Sequence, residues 1–318
     1  MKKLLSFIYL LLSFTSFSQV KSPEEFLGYP LGSRFTYHHQ IISYSRYLAE
    51  NSEGLAQWIT YGQTSEHREL GQLLISNLPK GLSIDEIQAN HLNAIQGKNS
   101  DQSMPLIINL SFNVHGNEAA SSEAAMLTLF ALLDPSNKKS AEWLEHVVVM
   151  IDPCINPDGR DRYVNWYNNA VGTHSYNADQ QAREHMEPWP SGRTNHYNFD
   201  LNRDWAWQTQ KETQQRIPLY QSWYPQVHVD FHEQGYNAPY YFAPAAEPLH
   251  DVLTPWQKSF QDQIGKNHAK YFDKNNWLFF TKERFDLLYP SYGDTYPMYN
   301  GAIGMTYEQG GISAGLGV

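Results

Sequence analysis

The sequence predicts an α/β fold, with a mixed, mostly parallel twisted sheet and helices on both faces. Short apolar runs that fit buried strands recur along the chain, at residues 106–112, 146–152, 226–232 and 302–308. An Ala/Leu-rich segment at residues 119–133 fits a helix between the first two runs. Strands that alternate with helices favour parallel pairing, because each helical crossover covers a face of the sheet.

The elements before residue 106 are predicted to be a helix and a strand pair. Residues 35–50 carry apolar side chains at helical spacing, namely Tyr37, Ile41, Tyr44 and Leu48. Residues 55–61 and 70–76 are typical of two strands joined by a turn. Residues 79–104 are polar with little periodicity, so a surface insertion is expected there.

The middle of the chain contains one clear helix end and one long irregular stretch. The helix that begins near residue 119 is expected to stop at Asp134, because the residue before a proline disfavours helical backbone. Residues 160–207 are rich in Asn, Tyr and Trp and show no periodicity. A stretch of that length indicates either a functional loop region or a wrongly assigned element.

Residues 1–18 are predicted to be a secretory signal peptide. Lys2 and Lys3 precede an apolar stretch of roughly a dozen residues, and Ser16 and Ser18 are small residues suited to a cleavage site. The stretch is short for a membrane span, although an uncleaved anchor is the alternative. We therefore expect a secreted or periplasmic protein with a domain at residues 19–318.

Composition and charge exclude several classes of partner. The formal net charge is −10, and loss of residues 1–18 would remove two lysines and no acidic residue. Such a balance argues against a nucleic-acid partner. No second apolar run is long enough to span a membrane. Cys154 is the only cysteine, so no intramolecular disulfide forms. The oligomeric state stays open.

Polar side chains follow each of the four apolar strands. His115 and Glu118 follow the first strand, the segment 156–159 follows the second, His232 ends the third, and Glu308 ends the fourth. In open α/β sheets, ligands bind at the carboxyl edge of the strands. Two histidines and a glutamate that leave one position for water are typical of a catalytic zinc site. Glu308 could then accept a proton from that water.

Each of these residues also has a simpler explanation when it is considered alone. His115 and Glu118 form a short pattern that recurs by chance. His232 fits a hydrogen-bonded histidine at a strand end, and Glu308 fits a solvated or ion-paired carboxylate. The order and spacing of the whole set therefore carry the prediction.

The set resembles the zinc carboxypeptidase family over roughly residues 30–318. The motifs that carry the resemblance are His115-Gly-Asn-Glu118, Asn156-Pro-Asp-Gly159, Asp200-Leu-Asn-Arg203, Asp230-Phe-His232 and Tyr307-Glu308. The resemblance implies one zinc-carboxypeptidase-like catalytic domain at residues 19–318. It also implies that the family's C-terminal helix and any downstream region lie beyond residue 318.

The resemblance further implies a role for each matching residue. His115, Glu118 and His232 match the ligands of one Zn²⁺ ion, and Asp200 matches a carboxylate that orients the first histidine. Asn202 and Arg203 match the pair that binds the substrate's terminal carboxylate. Glu308 matches the general base. For the arginine that stabilises the oxyanion we expect Arg193, with Arg162 as the alternative. Tyr289 and Tyr292 are both candidates for the tyrosine that caps the substrate.

The implied activity is that of an exported metallocarboxypeptidase, acting on peptides with a free C-terminal carboxylate. An arginine that many relatives carry between the zinc histidine and glutamate is replaced by Asn117, which leaves contacts to the penultimate substrate residues open. One alternative is an amidohydrolase with the same zinc site that acts on cell-wall peptides or N-acyl amino acids. Another is an inactive binding module that kept the fold.

Overall fold

The computed structural model describes residues 20–78, 81–172, 177 and 179–311. Its central sheet has six strands, which are β1 (Ala56–Gln63), β2 (Glu69–Ile75), β3 (Leu106–Phe112), β4 (Val147–Asp152), β5 (Val227–Gln234) and β8 (Ile303–Gly310). Two further short strands, β6 (Ala246–Leu249) and β7 (Asp286–Leu287), pair with each other. The spatial order in the main sheet is β1-β2-β4-β3-β5-β8.

The pairing of strands confirms a mixed, mostly parallel sheet. β3 pairs in parallel with both β4 and β5, and β5 pairs in parallel with β8. β1 and β2 are antiparallel to each other, and β2 is antiparallel to β4. Because β3, β4, β5 and β8 run in the same direction, their carboxyl ends meet at one edge of the sheet.

Helices cover both faces of this sheet. The helices are α1 (Pro23–Leu27), α2 (His38–Asn51), α3 (Ile84–Ile95), α4 (Ala120–Leu133), α5 (Lys138–Leu144), α6 (Pro157–Ala170), α7 (Lys211–Trp223), α8 (Pro255–Lys274) and α9 (Thr295–Tyr299). Leu73 and Ile75 of β2 pack with α2 and α4 on one face. The intervening Leu74 packs with α3 and α7 on the other face, as the alternation of a strand requires.

Two stretches contain a helix that was not predicted, and for residues 160–207 the alternative of a wrongly assigned element applies to the first part. The segment 79–104 contains α3, which begins with a capping box in which Ser83 and Glu86 bond reciprocally and which buries Ile87. The irregular stretch from residue 160 begins inside α6, a helix that starts with Asn156 as its cap and Pro157 in its first turn. In both cases the capping residues were the signal, and the polar composition hid the helix.

The predicted signal peptide, residues 1–18, and the last residues of the chain, 312–318, lie outside the described residues. Within the part of the chain that the structure describes, no helix is both long enough and apolar enough to cross a bilayer.

Candidate active site

The turn after β3 is held by a buried asparagine. Asn113 adopts a left-handed backbone conformation with φ of 60°, which asparagine tolerates better than most residues. Its side-chain amide donates to the carbonyl oxygens of His115 at 2.7 Å and Glu118 at 2.9 Å. The turn therefore keeps the two side chains in a fixed relation before α4 begins.

Gly116 allows three backbone segments to meet behind this turn. A Cβ atom built on Gly116 would lie 2.1 Å from the backbone nitrogen of Arg160 and 2.5 Å from the carbonyl oxygen of Gly192. Backbone atoms cannot yield as a flexible side chain can. The close contact joins the His115–Glu118 turn to α6 and to the loop that carries Arg193.

The Gly116→Ala variant is expected to lose about 1–3 kcal/mol of unfolding free energy in urea, because the extra methyl overpacks this contact. Gly235→Ala is the matched control, since a Cβ there has no neighbour within 4 Å and the backbone needs no glycine. Equal stability of the two variants would contradict the close packing around Gly116.

A buried ion pair lies under the same turn. Arg160 is fully buried, and its Nη2 contacts Glu123 Oε1 at 2.7 Å. Its Nη1 donates to Asn113 Oδ1 at 3.1 Å and to the carbonyl oxygen of Ala119 at 2.7 Å. Arg160 thus fixes the asparagine that fixes the turn. This role could not be predicted from the sequence, because the partners come from distant segments.

His115, Glu118 and His232 form a compact buried cluster. A ligand-type atom from each residue lies within 4.8 Å of the others. Glu118 Oε1 is 2.7 Å from His115 Nδ1, and Glu118 Oε2 is 3.0 Å from His232 Nδ1. All three side chains are almost entirely shielded from solvent.

A second carboxylate holds the far nitrogen of each histidine. His115 Nε2 is 3.1 Å from Asp200 Oδ1, and His232 Nε2 is 2.7 Å from Asp230 Oδ2. A carboxylate accepts an N–H, so with a cation in the cluster each ring would keep its proton on Nε2 and present the Nδ1 lone pair to the cation. The role of Asp200 was predicted from the sequence, whereas that of Asp230 was not. Its position two residues before His232 on a strand was the available signal, because such residues share a face.

The cluster fits a divalent cation. Burial by itself opposes ionisation of Glu118, but the adjacent His115 and His232 outweigh it and hold the pKa of this carboxyl well below its usual range. A bound cation would take the place of the imidazolium protons, and two imidazole nitrogens with one carboxylate are donors that zinc prefers. The chemistry of the donor set therefore matches the zinc site predicted from the sequence.

Glu308 lies beside this cluster because of the strand register. His232 of β5 and Glu308 of β8 are direct neighbours in the sheet and share a face. Burial raises the pKa of Glu308 to about 7, with His232 opposing the shift. Glu308 Oε2 is buried and has no hydrogen-bond partner among the described residues. A carboxylate with a free buried oxygen can accept a proton beside the cluster.

Glu233, the other acidic residue near His232, points away from this face. Neighbouring residues of a strand face opposite sides of the sheet. Glu233 Oε1 accepts a hydrogen bond from the backbone nitrogen of Ala120 at 2.6 Å, at the start of α4. Burial raises the pKa of Glu233 to about 7, and the charge of Glu118 adds to the shift.

Of the two candidate arginines, Arg193 lies at the cluster. Its Nε and Nη2 donate to Asp200 Oδ2 at 3.2 and 3.0 Å, and its Nη1 lies 3.3 Å from His115 Nδ1. Arg162 instead donates to the carbonyl oxygens of Ser191 and Asn195. Arg162 therefore supports the loop that carries Arg193 and does not reach the cluster itself.

Asn202, Arg203 and the two tyrosines line the adjacent surface. Asn202 Nδ2 lies 3.5 Å from His232 Nε2. The Arg203 guanidinium lies 4.5 Å from the ring centre of Tyr292, and its side chain is 45% exposed. Tyr289 packs against Tyr292 at 4.9 Å between ring centres, and its hydroxyl accepts a hydrogen bond from Trp207 Nε1. Exposure of the guanidinium leaves it accessible to an anionic ligand.

Comparison with known proteins agrees with this geometry. The family model described as zinc carboxypeptidase matches residues 41–295. The chain belongs to the zinc carboxypeptidase family. The matched residues include the buried cluster, Arg193 and Arg203, whereas Glu308 lies beyond them. No curated protein sequence matches the chain.

Several solved structures share the fold at low sequence identity. A metallo-carboxypeptidase from Burkholderia cenocepacia has a TM-score of 0.57 and 16% identity, covering 86% of this chain and 59% of that protein. Carboxypeptidase A from Helicoverpa armigera has a TM-score of 0.57 and 15% identity, covering 92% and 68%. Thrombin-activatable fibrinolysis inhibitor has a TM-score of 0.59 and 14% identity, covering 90% and 70%. The chain thus spans about three fifths of the length of the Burkholderia protein.

Asn117, the departure from many zinc carboxypeptidases, is already engaged within the chain. Its Nδ2 donates to Glu187 Oε2 at 2.9 Å. Glu187 Oε1 in turn accepts from the backbone nitrogen of Gly192. Asn117 therefore links the cluster's turn to the loop that carries Arg193.

A second group of potential metal ligands, Glu66, Asp158 and His196, lies apart from the buried cluster. Arg68 Nη1 contacts both Glu66 Oε2 and Asp158 Oδ1. Because a guanidinium already neutralises both carboxylates, this group is better explained as an ion-pair network than as a cation site.

Proposed function

We propose that this protein is an exported zinc-dependent metallocarboxypeptidase that removes C-terminal amino acids from peptides. The observation that carries the proposal is the arrangement of two partly exposed arginines beside a buried His-Glu-His cluster. Such a site can bind an anionic group and a metal ion at the same time. Export rests on the predicted signal peptide alone, and the N-terminal residue of the protein secreted by its host would test it.

In the proposed complex, Arg203 and Asn202 bind the terminal carboxylate of the peptide. A planar guanidinium donates two parallel hydrogen bonds to a carboxylate, which fixes both position and orientation. Tyr292 packs against the guanidinium and limits its movement. Either Tyr289 or Tyr292 would then cover the terminal residue. The scissile bond lies one residue inward, towards the buried cluster.

His115, Glu118 and His232 would hold the zinc ion. When bound, zinc lowers the pKa of water and polarises a carbonyl group. Glu308 accepts a proton on its free carboxylate oxygen and later delivers it to the leaving amine. Arg193, whose guanidinium lies next to His115, donates hydrogen bonds to the oxyanion that develops on the substrate. Asp200 holds both His115 and Arg193, so a single carboxylate aligns the metal ligand and the oxyanion donor.

The purified protein is expected to contain one zinc ion per chain and to release free amino acids from the C-terminus of unmodified peptides. Removing zinc with a chelator should stop the release, and restoring zinc should recover it. Elemental analysis measures the zinc content of the protein, and mass spectrometry of the shortened peptides measures the release of amino acids.

The substrate class is tested in the same assay by offering cell-wall muropeptides beside ordinary peptides. Hydrolysis of muropeptides alone would replace the carboxypeptidase proposal with that of an amidohydrolase. A zinc-loaded protein that hydrolyses neither would favour an inactive binding module.

A further inference from the structure

A row of polar side chains crosses the buried face of the sheet next to the metal cluster. The strand register pairs Asn109 with His228 and Ser111 with Asp230 on β3 and β5. His232 follows Asp230 by two residues and so lies on the same face. These five side chains are between 0% and 4% exposed. An apolar face would be expected at such depth, so the row needs a specific explanation.

The row forms an unbroken chain of hydrogen bonds that ends at His232. His232 Nε2 contacts Asp230 Oδ2 at 2.7 Å, and Asp230 Oδ1 accepts from Ser111 Oγ at 2.7 Å. Ser111 Oγ also lies 3.0 Å from His228 Nε2. His228 Nδ1 lies 3.1 Å from Asn109 Nδ2. Gln72 Nε2 donates to Asn109 Oδ1 at 3.3 Å and completes the chain.

Donor and acceptor chemistry requires the hydrogen bonds between Gln72 and Asp230 to donate in one direction. Asp230 as a carboxylate only accepts, so the Ser111 hydroxyl proton points to it. Ser111 Oγ must then accept from His228, which requires that His228 carry its proton on Nε2. His228 Nδ1 is therefore an acceptor, and an amide N–H of Asn109 points to it. Every bond from Gln72 to Ser111 donates towards Asp230.

The surroundings of His228 keep its ring neutral and in place. Burial lowers the pKa of His228 to about 4, with Asp230 opposing the shift. Trp205 and Tyr220 contact the ring edge-on, at 5.2 and 5.6 Å between ring centres. A neutral ring packed against these two aromatic side chains can act as a fixed donor to Ser111.

We propose that Ser111 and His228 are positioning residues that set the tautomer and orientation of the metal ligand His232 through Asp230. The proposal rests on the zinc site of the proposed function. Bonds donated to Asp230 fix the rotation of its carboxylate, which then holds the proton of His232 on Nε2. His232 Nδ1 remains free to bind the metal. The hydrogen bonds from Gln72 to Asp230 all donate in one direction and so polarise one another, which strengthens the bond from Ser111 to Asp230.

Loss of the link at Ser111 should weaken zinc binding without removing a ligand. In the Ser111→Ala variant, the dissociation constant for zinc, measured by competition with a chromophoric chelator, is expected to rise about 10–100-fold. Ser45→Ala is the matched control, because Ser45 is fully buried and its Oγ donates a single hydrogen bond to the carbonyl oxygen of Ile41. The control removes a buried hydroxyl that is distant in sequence from the cluster, and it should leave the dissociation constant for zinc unchanged.

A nitrogen-15 NMR spectrum of the histidine rings tests the same proposal in the unmodified protein. With zinc bound, both His228 and His232 should be protonated on Nε2, and the Ser111→Ala variant should alter the His232 signals. Protonation of His228 on Nδ1 in the wild type would overturn the proposal even if the variant failed to fold. Equal zinc affinity of the Ser111→Ala and Ser45→Ala variants would also overturn it, while the proposed function would stand. A wild type that binds no zinc would overturn both.

Discussion

The Glu308→Gln variant is expected to keep its zinc and to lose turnover by roughly 10²–10⁴-fold. The amide has the shape of the carboxylate but cannot accept a proton, and Glu308 is not one of the three clustered ligands. The values of kcat on a free-acid peptide and the zinc content of the same sample measure the two effects. Loss of zinc together with activity would instead indicate that Glu308 is a ligand.

Two control variants separate this role from those of its neighbours. His232→Ala should lose both zinc and activity, because it removes a ligand atom from the cluster. Glu233→Gln should retain both, because its amide oxygen can still accept from the backbone of Ala120 on the other face of the sheet. If Glu233→Gln lost turnover and Glu308→Gln did not, Glu233 would be the base.

The pH profile provides an independent check on Glu308. Only the ionised carboxylate accepts a proton, so kcat/KM falls as the pH drops through the pKa of this group. Burial raises that pKa to about 7, and a cation held by the cluster acts in the opposite direction. The acidic limb is therefore expected at or below a pH of about 7. It should be absent from the residual activity of Glu308→Gln.

The strands and the order of the site residues could be predicted from local patterns. The run at residues 106–112 coincides with β3, since apolar β-branched residues bounded by a polar turn have few other structures to adopt. His115 and Glu118 were recognisable because they follow such a strand directly. Glu308 could be placed at a strand end, but its position beside His232 depends on register, which is set by pairing across the whole sheet.

The supporting contacts could not be predicted, because they join residues that are distant in sequence. Arg160 reaches Glu123 and Asn113 from α6 only after the sheet has formed. Gly116 and Gly192 meet only when the loop at residues 191–200 folds over the turn. Those contacts place Arg193 at the cluster and Arg162 beneath the loop that carries Arg193. The spacing of the two arginines in the sequence could not decide which of them lies at the cluster.

Arg203 distinguishes a carboxypeptidase from a general amidase. If its guanidinium binds the terminal carboxylate, amidation of the substrate's C-terminus removes a charge-assisted contact and leaves the guanidinium with only Asp200 and the carbonyl oxygen of Asn202 nearby. The expected cost is on the order of 2–5 kcal/mol in transition-state binding, or a loss of kcat/KM of about 30-fold to several thousand-fold. The partial exposure of the free side chain favours the lower part of this range.

The Arg203→Ala variant should lose a similar amount of kcat/KM on free-acid peptides and almost none on amidated ones. Each perturbation removes the same contact, so the two losses should not add in a double-mutant cycle. Arg203→Lys is the matched control and should fall between wild type and alanine, because an ammonium keeps the charge without the two parallel donors. The loss in Arg203→Ala should appear mainly in KM if the contact forms equally in the ground state, and in kcat if it tightens in the transition state. Equal hydrolysis of free-acid and amidated peptides by the wild type would reject the exopeptidase proposal, and Arg203 would then bind an acidic group elsewhere on the substrate.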